Sequence, residues 1–211
     1  MNSGIVEMYL EKWTKDLEGD AAIISVYSHV RDIPYAAISG LSDPWNGPEL
    51  MLAIGRGSCT PKHNLLARMF EIMGVNIIFS SFKFSWNNPL IAYPDSLKKI
   101  VADLPPVYHM ALRAYIHGTS CLVDATWDLP LKKAGFPVTT CWDGISDCIL
   151  AVTPLQEKGS AKEVLHDSMK KRDEYYRARA TEYTVEQVVA LNLFYQNLNA
   201  WLDDVRVSSA V

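Results

Sequence analysis

Two strand-like runs separated by a short turn constrain this chain more than any other feature. They are YHMALRAYI (108–116) and SCLVDATW (120–127), with HGT between them. β-Prone runs on either side of a Gly-containing turn make an antiparallel hairpin. If His117 and Gly118 are the two loop residues, Ile116 faces Thr119 and Asp124 faces Ala111. His109 then lies two positions from Ala111 on the same side of the sheet as Asp124. Such diagonal neighbours have Cα atoms about 7–8 Å apart, within reach of an imidazole and a carboxylate. Moving the loop to Gly118–Thr119 keeps both residues on one face but lengthens their separation by two positions. Parity is therefore fixed by the pattern, and distance is not.

The preceding segment carries a second chemically loaded pattern. GRGSCTPKHNLLARMFEIMG (55–74) is a glycine-rich turn feeding a helix, with Ser58 or Thr60 as cap and Pro61 in the first turn. Leu65, Leu66, Met69, Phe70 and Met73 form its buried face, and Gly74 ends it. VNIIFSSFKF (75–84) reads as a strand, and PVTTCW (137–142) as a further one. Helical spacing marks residues 4–17, with Ser3 as cap, and residues 21–33, which must end before Pro34. Residues 39–49 read as a loop, and 86–106 as a polar passage containing prolines. From 160 onward the pattern is helical, and TVEQ (184–187) matches a capping box. Helices, then strands, then helices give an α+β fold in a single domain: a central helix bearing Cys59, an antiparallel sheet, and helices at both ends.

The totals limit the function classes. With 20 basic and 24 acidic residues in 211, the net charge is −4, and the chain lacks the concentrated basic patch of a nucleic-acid-binding face. The locally basic KKRDEYYRAR (170–179) reads as a solvated helix face. No apolar run approaches the roughly 20 residues that span a bilayer, and the acidic N-terminal stretch lacks the order of a secretory signal. The four cysteines (59, 121, 141, 148) match no zinc spacing, so no metal and no cofactor are expected. A cytoplasmic protein with free thiols follows from this reading.

A nucleophilic cysteine needs a lowered pKa, a base and a group to orient that base. Cys59 stands at a helix N-terminus, where the macrodipole favours thiolate and free N–H groups can hold an oxyanion. Gly55 and Gly57 would let the backbone approach a substrate closely. Five histidines compete for the role of base. His29 and His166 fall in terminal helices, His63 points along the flank of the Cys59 helix, and His117 sits in the hairpin turn. His109 alone begins a strand whose partner carries a carboxylate, Asp124. Asp128 is the competing carboxylate, on the same face but past the strand end. Cys121, Cys141 and Cys148 read as structural, and Phe194, Tyr195 and Trp201 as core or dimer contacts.

On these residues the chain resembles the transglutaminase-like superfamily. GSCTPKHNLLARMFEIMGV is similar to its cysteine segment, YHMALRAYIHGTSCLVDATWD to its histidine–aspartate segment, and VYSHVRDIPY (26–35) to the helix leading into the core. The resemblance spans roughly residues 20–130, in the family's order. It implies a papain-like core at 20–154 with a C-terminal helical extension at 155–211. It also implies Cys59 as nucleophile, His109 as general base and acid, and Asp124 as orienting group. There are departures from the pattern. Ser58 stands where the family often has an acidic residue, and Met110 and Ala111 replace an aromatic position, altering the wall of the site. Trp45, by loop position, is the candidate for the tryptophan that completes the oxyanion site in animal transglutaminases. No acidic cluster implies calcium.

A thiolate paired with a histidine attacks an acyl carbon and releases an amine. Hydrolysis of a peptide or amide bond is the first reading, with a peptide, protein or small amide as substrate. The alternatives are acyl transfer, as in a transglutaminase or an arylamine N-acetyltransferase, and a binding module that leaves the triad unused. The C-terminal helices could cover the site as a lid or join two copies in a homo-oligomer.

Overall fold

The computed structural model describes residues 4–156 and 162–208. The proposed Ser3 cap lies outside them. Four helices come first: α1 (Ile5–Trp13), α2 (Gly19–Asp32), α3 (Gly47–Ile54) and α4 (Cys59–Ile72). Strand β1 (Asn76–Phe84) and helix α5 (Asp95–Val101) follow, then β2 (Val107–Ile116) and β3 (Thr119–Val123). A 3-10 turn (Leu129–Ala134), strand β4 (Val164–His166) and helices α6 (Met169–Ala180) and α7 (Val185–Val207) complete the chain. The fold is α+β, with an antiparallel sheet in the order β3-β2-β1-β4.

The hairpin forms as its sequence dictates. Ile116 pairs with Thr119 and Leu112 with Val123, and His117 and Gly118 both take positive φ, the requirement of a two-residue turn that matches strand twist. β2 in turn pairs along its full length with β1, placing Phe82 opposite His109. Alternate strand residues feed two cores. Met110, Leu112, Ala114, Cys121 and Val123 pack with the buried faces of α1, α2 and α4. Phe82, Ala111 and Leu122 pack with α5 and with Leu191, Phe194, Leu198 and Leu202 of α7.

Several expectations need correction. The loop at 39–49 runs into α3, because Pro48 starts a helix as readily as it breaks one. The polar passage contains α5, whose short amphipathic stripe buries only Leu97 and Val101. Residues 137–142 form no strand: β3 carries a loop, not a neighbour, on its outer edge, where Asp147 accepts the Leu122 N–H (2.6 Å). The segment after 160 begins with β4 rather than a helix, so His166 is a strand residue, hydrogen bonded through Nε2 to the Ser81 hydroxyl (3.0 Å). Arg172 departs from the solvated face of α6. It is 1% exposed, lies over the rings of Phe79 and Tyr176, and donates to Asn64 Oδ1 (2.8 Å).

Candidate active site

Cys59 is the first residue of α4, immediately after the extended Ser58. The Ser58 side chain makes no capping bond, so the first N–H groups of α4 are left without a side-chain acceptor. The segment leading to Cys59 is pinned from one side: Gly57 donates to Pro34 O (3.1 Å), and Ala36 N–H donates to Gly57 O (3.2 Å). A Cβ on Gly57 would stand 2.6 Å from Met51 Sδ and 3.0 Å from Pro61 Cγ. Gly57 is required by packing beneath the turn, and Gly55 by the left-handed end of α3, rather than by substrate approach.

The structure brings Cys59, His109 and Asp124 together at the inner end of one cavity. His109 Nε2 bonds Asp124 Oδ2 at 2.8 Å, which leaves Nδ1 as the ring nitrogen free to act on the Cys59 thiol beside it. Asp124 is one residue beyond β3, where the chain leaves the sheet and frees backbone N–H groups to turn inward. Its Oδ2 also accepts from the Ala151 N–H (2.8 Å), and its Oδ1 from the Thr126 hydroxyl (2.7 Å) and N–H (3.2 Å). Four donors saturate a carboxylate that is 4% exposed.

These contacts set the proton distribution. Burial alone raises the Asp124 pKa, but the charge and hydrogen bond of His109, with help from the Thr126 hydrogen bonds, hold it well below the usual carboxylate range. Burial lowers His109, yet Asp124 and the Cys59 contact outweigh it and carry the imidazole up to about 10. Burial raises Cys59, and the His109 bond and charge, with a backbone bond from Met110, bring the thiol net below its ordinary value. The pair is thus disposed to exist as thiolate and imidazolium.

A second histidine, one whose place on the helix flank signalled no role, completes the site. His63 is fully buried, one turn along α4 from Cys59, and bonds the Cys59 carbonyl through Nδ1 (2.8 Å). Its Nε2 accepts the Ala125 N–H (3.0 Å) and lies 3.5 Å from Asp124 Oδ1. An Nε2 that accepts a hydrogen bond must be unprotonated, so the proton is on Nδ1 and the ring is neutral. Burial agrees, pushing His63 down to about 4. The i, i+4 spacing announces the first bond; only the approach of residues 124–125 to α4 supplies the second. Lys62, beside it, is fully buried and donates to the carbonyls of Arg31 (2.8 Å), Ile33 (2.9 Å) and Thr126 (2.7 Å), joining the end of α2 to the same loop.

The other sequence candidates fall elsewhere. Asp128 accepts the Tyr35 N–H and both Nε and Nη2 of Arg206, each at 2.8 Å, and so anchors the end of α7. Trp45 is 70% exposed and does not line the cavity beside Cys59. Met110 and Ala111 are buried in the two cores and do not form its wall either. Cys121 and Cys148 are buried, Cys141 is exposed, and all four thiols are free. His29 stacks on Trp13, and His117 pairs with Asp20.

Cys59 and His109 open on a cavity of about 590 Å³. α4, β1, β2 and the segment around Trp127 form part of its wall. α6 supplies Tyr176, and α7 supplies Asn192, Tyr195 and Gln196. Tyr195 is therefore a cavity residue, whereas Phe194 is core and Trp201 packs on Tyr93 and Phe136.

No protein-family model and no curated protein matches the sequence. Among solved structures, the chain is similar to one described as "a Putative Cysteine Protease from Cytophaga hutchinsonii". The two are 14% identical, with a TM-score of 0.41 over 77% of this chain and 46% of that one. This chain thus spans about half the length of that protein, and so distant a likeness carries no argument about function. No helix among the described residues is long and apolar enough to cross a membrane.

Proposed function

We propose that this chain is a thiol enzyme of the transglutaminase-like kind that cleaves a peptide or amide bond. One observation carries the reading: Cys59 and His109 stand on the wall of a cavity large enough for a substrate, with a four-fold hydrogen-bonded Asp124 buried against the imidazole. The Cys59 thiolate attacks the acyl carbon, and the first-turn N–H groups of α4 are placed to receive the developing oxyanion. His109, protonated, gives its proton to the departing amine as the C–N bond breaks, leaving a thioester on Cys59. It then takes a proton from water as the water oxygen attacks the thioester, and breakage of the C–S bond releases the acid and restores the Cys59 thiolate and the His109 imidazolium. Asp124 holds the imidazole in this orientation throughout. In this reading the core at 20–154 carries the triad, and the extension at 155–211 closes the cavity through α6 and α7.

The test is the reactivity of Cys59 toward iodoacetamide, located by peptide mass spectrometry. Alkylation at pH 6 should run about 100-fold faster than for an ordinary thiol, which is then almost wholly protonated. A rate no faster than that of a free cysteine would sink the proposal. With reactivity established, the acyl group trapped on Cys59 identifies the donor. Its partition between water and an added primary amine separates a hydrolase from a transferase.

A further inference from the structure

The cavity beside Cys59 has a chemical character that the triad does not explain. Among the described residues, no Asp, Glu, Lys or Arg side chain lines it, and Cys59 and His109 form a pair of no net charge. Much of its wall is aromatic, with Phe84, Trp86 and Trp127 prominent. The rest is aliphatic (Ile38, Val107, Val152), hydroxyl and carboxamide. α7 turns Asn192, Tyr195 and Gln196 (i, i+3, i+4) to the cavity, while Leu191, Phe194 and Leu198 bury the adjacent stripe.

Two donors in this wall are unmatched among the described residues, the Tyr176 hydroxyl and the Trp86 indole N–H. Trp86 is 3% exposed, and its indole N–H has no hydrogen-bond acceptor among the described residues. The Tyr195 ring stands edge-on to it, with 6.1 Å between ring centroids. A buried indole N–H costs free energy until an acceptor reaches it. A charged ligand group, by contrast, would lose its hydration here and, among the described lining residues, meet no charge outside the Cys59–His109 pair.

We infer that the cavity selects an uncharged, peptide-like acyl donor. Apolar or aromatic side chains would lie against Trp86 and Trp127, one carbonyl oxygen would accept from the Trp86 indole, and the Asn192 and Gln196 carboxamides would read a neutral polar group at the mouth. This rests on the reading that the cavity beside Cys59 is the acyl-donor site. It makes α7 a specificity element rather than a packing strut.

The test uses three blocked peptides of equal length: acetyl-Tyr-Asn-amide, its isosteric partner acetyl-Tyr-Asp-amide, and acetyl-Tyr-Lys-amide. Binding to the full-length Cys59→Ala protein is measured by calorimetry, so that turnover plays no part. The Asn peptide should bind about tenfold more tightly than either charged one. Asn192→Asp should improve the Lys peptide about fivefold relative to the Asn peptide by supplying the missing counter-charge. Asn and Asp peptides within about twofold of each other, or no binding tighter than about 10 mM, would overturn the inference. The iodoacetamide rate of the unmodified protein is read separately. Fast alkylation without charge discrimination removes only the substrate class, whereas discrimination without fast alkylation supports the cavity and removes the enzyme.

Discussion

Replacing Asp124 by Asn tests how much of the site's reactivity depends on one carboxylate. Asp124 accepts four hydrogen bonds, two on each oxygen. Asn has one oxygen, so whichever way its amide turns, two donors face an NH2 group and lose their acceptor. The cost in stability should be about 1–3 kcal/mol. The electrostatic consequence is larger. Burial pushes His109 down, and the Asp124 charge is the largest influence carrying it up to about 10. Without that charge, burial prevails and the imidazole is neutral at pH 7. Cys59 then loses the bond and charge that offset its own burial, and its thiol moves up. An ordinary thiol near pKa 8.5 is about 0.3% thiolate at pH 6, so alkylation at that pH should fall by about 100-fold or more. The assay is the iodoacetamide rate from pH 5 to 9. The wild type should stay faster than Asp124→Asn throughout the acid half, where Asp124→Asn should lose about tenfold per unit. A folded Asp124→Asn protein within about threefold of wild type at pH 6 would refute the reasoning.

Two further changes probe the elements around the triad. His63 is buried and neutral, with its pKa lowered to about 4, so the unfolded chain binds more protons between that value and the usual 6.5. Its contribution therefore makes stability fall as pH drops below 6.5, by about 2 kcal/mol between pH 7.5 and pH 5. Denaturant unfolding should show this part of the acid sensitivity vanishing in His63→Gln, whose amide can still donate to Cys59 O and accept from Ala125; an unchanged pH dependence would count against it. Arg206→Met should leave Asp128, 2% exposed, as a buried carboxylate without its bidentate partner. The expected loss is about 3–5 kcal/mol, with faster amide exchange along α7 in hydrogen-exchange mass spectrometry; a loss under about 1 kcal/mol would mean that the pair carries no such burden.

What the sequence determined by itself is local in origin. The HG turn takes positive φ at both residues, and that choice fixes which strand positions oppose each other, so His109 and Asp124 had to share a face. Proline, glycine and a four-residue apolar spacing were enough to place Cys59 at a helix start, and the structure makes it the first residue of α4. The thiol, the imidazole and the carboxylate were thus legible because each depends on a short-range rule of turn geometry or helix capping. Tertiary structure decided everything that depends on which distant segments meet. His63 becomes the bridge between Cys59 and Ala125 only when the end of β3 reaches α4, 62 residues on in sequence. Asp128 ceases to compete with Asp124 because Arg206, 78 residues later, captures it. The cavity acquires its neutral wall only when α7 folds back across the sheet. A side chain's partners at long range are set by packing, and no periodicity within a segment encodes them.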